Sequence, residues 1–120
     1  MAILNNQTIH YPNGEYTGQV KNGVPHGKGT LSTTDGKQYE GEFLNGKRHG
    51  KGSWNDWENT EEYEGDWAND NMHGKGIYYW ANGDRYEGEF VNGKMHGKGV
   101  HYNVHGEKIA VVHEHGKRIG

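Results

Sequence analysis

The chain has 120 residues, enough for one domain, but only 30% of them are hydrophobic while 21 are glycine, too little apolar material for a conventional two-layer core. An aromatic content of 12% argues against disorder. The net charge of −3 gives no sign of nucleic-acid binding, and the lack of cysteine excludes disulfides and thiolate metal sites; with no run long enough to span a membrane and no signal-peptide apolar region, a soluble, cytoplasmic protein without a cofactor is expected.

In chain order, Met1 to Gln7 reads as a loose terminus. Asn6-Gln7-Thr8 fits a glycosylation sequon, a motif short enough to arise by chance. Thr8 to Tyr11 alternates Ile9 and Tyr11 with polar neighbours and is predicted as a lone capping strand, followed by a turn at Pro12-Asn13-Gly14. Residues 1–15 thus form a cap on the rest of the chain.

From Tyr16 the chain repeats itself. YTGQVKNGVPHGKGTLSTTDGKQ covers 16–38, YEGEFLNGKRHGKGSWNDWENTEE covers 39–62, YEGDWANDNMHGKGIYYWANGDR covers 63–85 and YEGEFVNGKMHGKGVHYNVHGEK covers 86–108. A degenerate fifth unit covers 109–120. The leading tyrosines are 23, 24 and 23 residues apart, and the extra residue falls in the connector Asn55 to Glu62, where an insertion is tolerated. A period of this length signals a repeat array. Within each unit Tyr-x-Gly-x-Phe/Trp alternates as a strand does, Asn-Gly favours a hairpin turn, and His-Gly-Lys-Gly opens a second alternating run. In the third unit Asp70-Asn71 is expected to replace the Asn-Gly turn, since both tolerate positive φ.

The YEG…NG…HGKG pattern at this period resembles the MORN repeat, strongly over Tyr16 to Val100 and weakly elsewhere. The fifth unit departs from it: Ile109 stands for the tyrosine, Val111 for the first glycine and Ile119 for the histidine. A terminal repeat has a different neighbour, so such departures suit a cap. The resemblance implies an all-β fold, one hairpin per repeat, stacked into a single-layer, elongated, twisted sheet of about ten strands. At ~4.8 Å per strand such a sheet is about 45–50 Å long. The family has also been associated with phosphoinositide membranes.

Register decides which residues share a face. A turn of Asn92-Gly93 alone sets Tyr86 opposite Gly99. A five-residue loop, Asn92 to His96, sets Tyr86 opposite Tyr102 and Gly88 opposite Val100. The second segregates apolar from charged residues and is preferred. It makes one face acidic (Glu40, Glu42, Glu64, Asp66, Glu87, Glu89) and the other an aromatic stripe of Tyr39, Phe43, Tyr63, Trp67, Tyr79, Tyr86, Phe90 and Tyr102. Gly18, Gly41, Gly65 and Gly88 then leave room for a ring from a neighbouring strand to lie on bare backbone.

An open aromatic stripe on a one-layer sheet marks a binding site. The expected function is a non-catalytic protein-binding scaffold or adaptor whose partner is a protein or peptide, a second copy of the chain included. The alternative is a peripheral module binding acidic phospholipids through Lys28, Lys51, Lys75 and Lys98. Acidic neighbours weigh against it, and these lysines read more simply as a solvated loop edge. His26, His49, His73 and His96 recur about 10 Å apart, too far to share one ion, and read as ties for loop backbone. His113 and His115, with His101 or His105, suggest at most an adventitious zinc or nickel site. Gly23 to Lys28 lacks the spacing of a phosphate-binding loop, and His113-Glu114-His115 is not the helical zinc motif. A hydrolytic or methyltransfer activity is a third reading, disfavoured because repeated columns do not make one enclosed catalytic constellation.

Overall fold

The computed structural model describes residues 2–120, so Met1 of the expected loose terminus lies outside the described residues. Eleven strands form one open antiparallel sheet in strict chain order, with 72% of the chain in strands and no helix among the described residues. They are β1 (Leu4–Tyr11), β2 (Gly14–Lys21), β3 (Val24–Thr33), β4 (Lys37–Leu44), β5 (Lys47–Asp56), β6 (Glu61–Ala68), β7 (Asn71–Tyr79), β8 (Arg85–Val91), β9 (Lys94–Tyr102), β10 (Lys108–Glu114) and β11 (Lys117–Arg118). The capping strand starts earlier than expected, at Leu4, and is paired with β2 over most of its length. The molecule measures 47 × 27 × 21 Å. Its radius of gyration is 15.8 Å, against about 13.6 Å for a compact chain of this length.

The register differs from both readings of the sequence. Within each full repeat the hairpin turn is two residues long: Val91 pairs with Lys94 across Asn92-Gly93, whose φ values are 50° and 83°. The pairing then slips. Phe90 faces Met95, yet Gly88 faces Gly99 and Tyr86 faces His101, so Glu89 alone spans His96, Gly97 and Lys98. The same bulge recurs after Gly18, Gly41 and Gly65. The first glycine of each His-Gly-Lys-Gly makes it possible, with φ between 83° and 92° at Gly27, Gly50, Gly74 and Gly97, a conformation that costs other residues strain. In the third unit the turn is Asn69-Asp70, at φ 50° and 70°, and not Asp70-Asn71.

The bulge is held by the residue three after each tyrosine. Its side chain accepts the backbone N–H of the lysine across the hairpin: Gln19 from Lys28 at 2.6 Å, Glu42 from Lys51 at 2.5 Å and Asp66 from Lys75 at 3.1 Å. Its carbonyl accepts the tyrosine hydroxyl, at 2.5 Å from Tyr16, 2.7 Å from Tyr39, 2.8 Å from Tyr63 and 3.2 Å from Tyr86. Each tyrosine therefore lies along its own strand, over the glycine two residues on and the glycine paired across. A Cβ at Gly29, Gly52, Gly76 or Gly99 would overlap that ring. The glycines serve ring packing as expected, but the ring comes from the same strand and not from a neighbour.

The rings then interlock along the array. Tyr16, Phe43, Tyr39, Trp67, Tyr63, Phe90, Tyr86 and His113 meet in that order, each at 5.0–5.5 Å and 81–88° to the next. Such edge-to-face pairs add ~0.5–1.5 kcal/mol each beyond burial. This chain of rings, completed by Val20 and Val111, is the core.

Candidate interaction surfaces

The core has consumed most of the expected docking stripe. Tyr39, Phe43, Tyr63, Trp67, Tyr86 and Phe90 are all buried, the tyrosines at 0–2% exposure. Burial raises the pKa of their phenols well above the ordinary value at Tyr39 and Tyr63. These six therefore cannot form an open surface. Tyr79 and Tyr102 are not on the ring face at all. Tyr79 pairs with Glu62 and Arg85, and Tyr102 pairs with Arg85, whose guanidinium lies 3.9 Å over the Tyr102 ring. The two-residue turn is the cause: it puts Ile77, Tyr79, Val100 and Tyr102 on the side of the glutamates, and the bulge, a slip of two residues, leaves them there. The charged face is thus not purely acidic, and the expected segregation fails there.

A second aromatic row takes the stripe's place. Leu31, Trp54, Tyr78 and His101 each pair directly with the core tyrosine of their unit. Trp80 adds a further ring, 5.4 Å from Tyr78 and stacked on His101 at 5.3 Å. All are half-buried. The Tyr78 hydroxyl donates to Glu61 at 2.6 Å, and burial, with that carboxylate, raises its pKa. Two clefts open along this row. One, of about 270 Å³, lies among Met72, Tyr78, Trp80 and Met95; the other, of about 220 Å³, lies among Arg48, Trp54, Trp67 and Asp70. The signal was in the sequence, because each row member stands fifteen residues after its tyrosine, at 31, 54, 78 and 101.

Arg48 shapes the second cleft. It occupies the position held by Pro25, Met72 and Met95 in the other units, and its guanidinium lies 4.8 Å over Trp67. Its Nε donates to Asp70 Oδ1 at 3.2 Å and its Nη2 to the Asp70 carbonyl at 2.8 Å, fixing the turn that lacks glycine.

The lysine column is not on a loop edge. Lys28, Lys51 and Lys75 lie within strands, paired with Glu42, Asp66 and Glu89, while Lys98 faces Val112. Lys51 forms an ion pair with Asp66 and holds its carboxyl below the usual range. The histidine column ties turns together where its bonds are formed. His26 Nδ1 accepts the N–H of Asn45 at 3.3 Å, and His96 Nδ1 that of His115 at 3.1 Å. His113 and His115 go separate ways. His113 takes the core place of Phe90 and packs on Tyr86, while His115, at φ 49°, replaces asparagine in the last turn. No group of three or more possible metal ligands occurs among the described residues.

The MORN repeat model matches residues 16–38, 39–54, 63–85 and 86–103. No curated protein matches the chain. MORN repeats are in general non-catalytic modules associated with protein-binding or membrane-binding scaffolds. Four matched segments, one hairpin stacked on the next and a tyrosine over paired glycines in every full unit lead to one conclusion: the chain belongs to the MORN repeat family.

Proposed function

We propose that this chain is a non-catalytic protein-binding scaffold or adaptor that seats its partner on the half-buried row Trp54, Tyr78 and Trp80. The observation that supports this reading is the pair of clefts between these rings, floored by Met72 and Met95. Tryptophan, tyrosine and methionine are the side chains enriched where interfaces concentrate their binding energy. They are held by the ladder beneath them, so little side-chain freedom is lost on binding. The lysines offer a poorer surface to acidic lipid, since acidic side chains alternate with them along the same rows.

The test is a pull-down from native lysate with the intact chain as bait. A Trp54→Ser, Tyr78→Ser, Trp80→Ser variant that still melts cooperatively is expected to lose its partner. Glu40→Gln with Glu64→Gln is expected to keep it. Equal recovery on the folded aromatic variant and on the original chain would rule this surface out.

A further inference from the structure

The face opposite the rings carries a feature that neither the core nor the aromatic row uses. One row of side chains crosses the array there by direct pairing: Glu40, Ser53, Glu64, Ile77, Glu87 and Val100. A second row, two residues further along the strands, carries the lysines and the bulge carboxylates. Between them runs a trough floored by glycine backbone. One segment, of about 780 Å³, extends from Glu64 to Val100, and another, of about 410 Å³, extends from Glu40 to Glu64. The two share Glu64 and Gly65, so the trough is continuous.

Charge differs between its rims. The lysine row neutralises itself, as the Lys51–Asp66 ion pair illustrates. In the other row the cross-strand neighbours of Glu40, Glu64 and Glu87 are Thr30, Ser53, Ile77 and Val100, none of them basic. The row's one ion pair is Arg85 with Glu87, at 3.6 Å. The rim therefore presents one carboxylate in each of the second, third and fourth units, with small or apolar residues between.

The dimensions select the ligand. Successive carboxylates are two strands apart, about 9.6 Å. One turn of polyproline II is three residues and rises about 9.3 Å. Two residues along a strand separate the rims by about 6.8 Å, too narrow for a helix of 10–12 Å diameter. A β-strand presents same-side residues about 6.8 Å apart and falls out of step with the carboxylates. We propose that this trough binds an extended polyproline-II segment with a basic residue at every third position, its cations on Glu40, Glu64 and Glu87 and its prolines against Ile77 and Val100. This site is independent of the aromatic row.

Fluorescence anisotropy with the intact chain tests it. The probe is a labelled peptide of four Arg-Pro-Pro triplets, and the control has the same composition with its arginines clustered. The triplet peptide is expected to bind about ten-fold tighter or more, and Glu40→Gln or Glu64→Gln to weaken it up to about five-fold each. The aromatic-row variant is expected to bind it unchanged, which separates this site from the one proposed above. Absence of triplet binding, equal binding of the two peptides, or indifference to the paired glutamine variant would overturn the proposal.

Discussion

Each core tyrosine has three obligations that fix its rotamer: a flat floor, a hydroxyl acceptor and edge-to-face neighbours, one for Tyr16 and two for each of the others. The floor is the least forgiving. A methyl group at Gly52 would overlap the Tyr39 ring and hydroxyl, and the ring has nowhere to go because Phe43 and Trp67 stand on either side. Gly52→Ala is expected to cost about 2–3 kcal/mol, read as a lower urea midpoint. At Gly36 the nearest atom to an added Cβ is 3.7 Å away, so alanine there meets only the strain of its positive φ. If the two variants melt together, the floor is not what the glycines provide. The Tyr-x-Gly spacing made half of this legible. It could not say which ring covers the glycine, because that depends on the tyrosine's hydroxyl reaching the carbonyl three residues on.

At the scale of the strand the tight turn sets the faces and the bulge sets the partners. A reading that treats each hairpin as a regular ladder has two registers available and must choose between them by the pattern of apolar residues. The real ladder keeps the tight Asn-Gly turn and slips beyond it, and nothing in the alternation of Val100 and Tyr102 announces the slip. The slip of two residues changes partners but not faces; it is the tight turn, in place of a five-residue loop, that sets Tyr79 and Tyr102 among glutamates and brings Trp54 and Tyr78 to the ring face unforeseen. The elements themselves and their order were legible, because Asn-Gly, glycine pairs and a fixed period are local signals. The fifth unit follows the same plan with one substitution of consequence. His113 fills a place held by valine, phenylalanine or tryptophan in the other units, and its Nδ1 is buried without a hydrogen-bond partner. Burial, then Arg118 and His101, lower its pKa. The folded form thus binds the proton less readily than the unfolded chain. Stability from this group is whole above the unfolded value of about 6.5 and declines as pH falls from there toward the folded value. Hydrogen exchange in Lys108–Glu114 is expected to quicken between pH 7.5 and 5.5 relative to β4–β8, and His113→Phe to remove the difference. Unchanged relative protection would show that the histidine docks as well charged as neutral.

For the whole molecule, the sheet has no covering layer, yet it is stable enough to bury four tyrosines because its core runs lengthwise through the ring chain. Each strand pairs only with its neighbours in sequence, so stability is close to a sum over adjacent units. Solution scattering is expected to return an elongated particle consistent with the 15.8 Å Cα radius of gyration; a value near that of a sphere would mean the array folds back on itself. The period made the elongated shape legible at once. The accessible surface was not, since exposure depends on how closely one unit's Phe or Trp covers the preceding unit's tyrosine.

The strict meander order also sets how the protein meets force. Backbone hydrogen bonds between strands point along the long axis, so tension applied to the two ends of the sheet loads them in series, one ladder after another. The weakest ladder yields while the rest hold. Each unit that opens releases about 23 residues, roughly 80 Å of extended chain, and the remaining units stay folded with their surfaces intact. A sheet of this construction lengthens in steps under load, where a closed two-layer domain would give way at once.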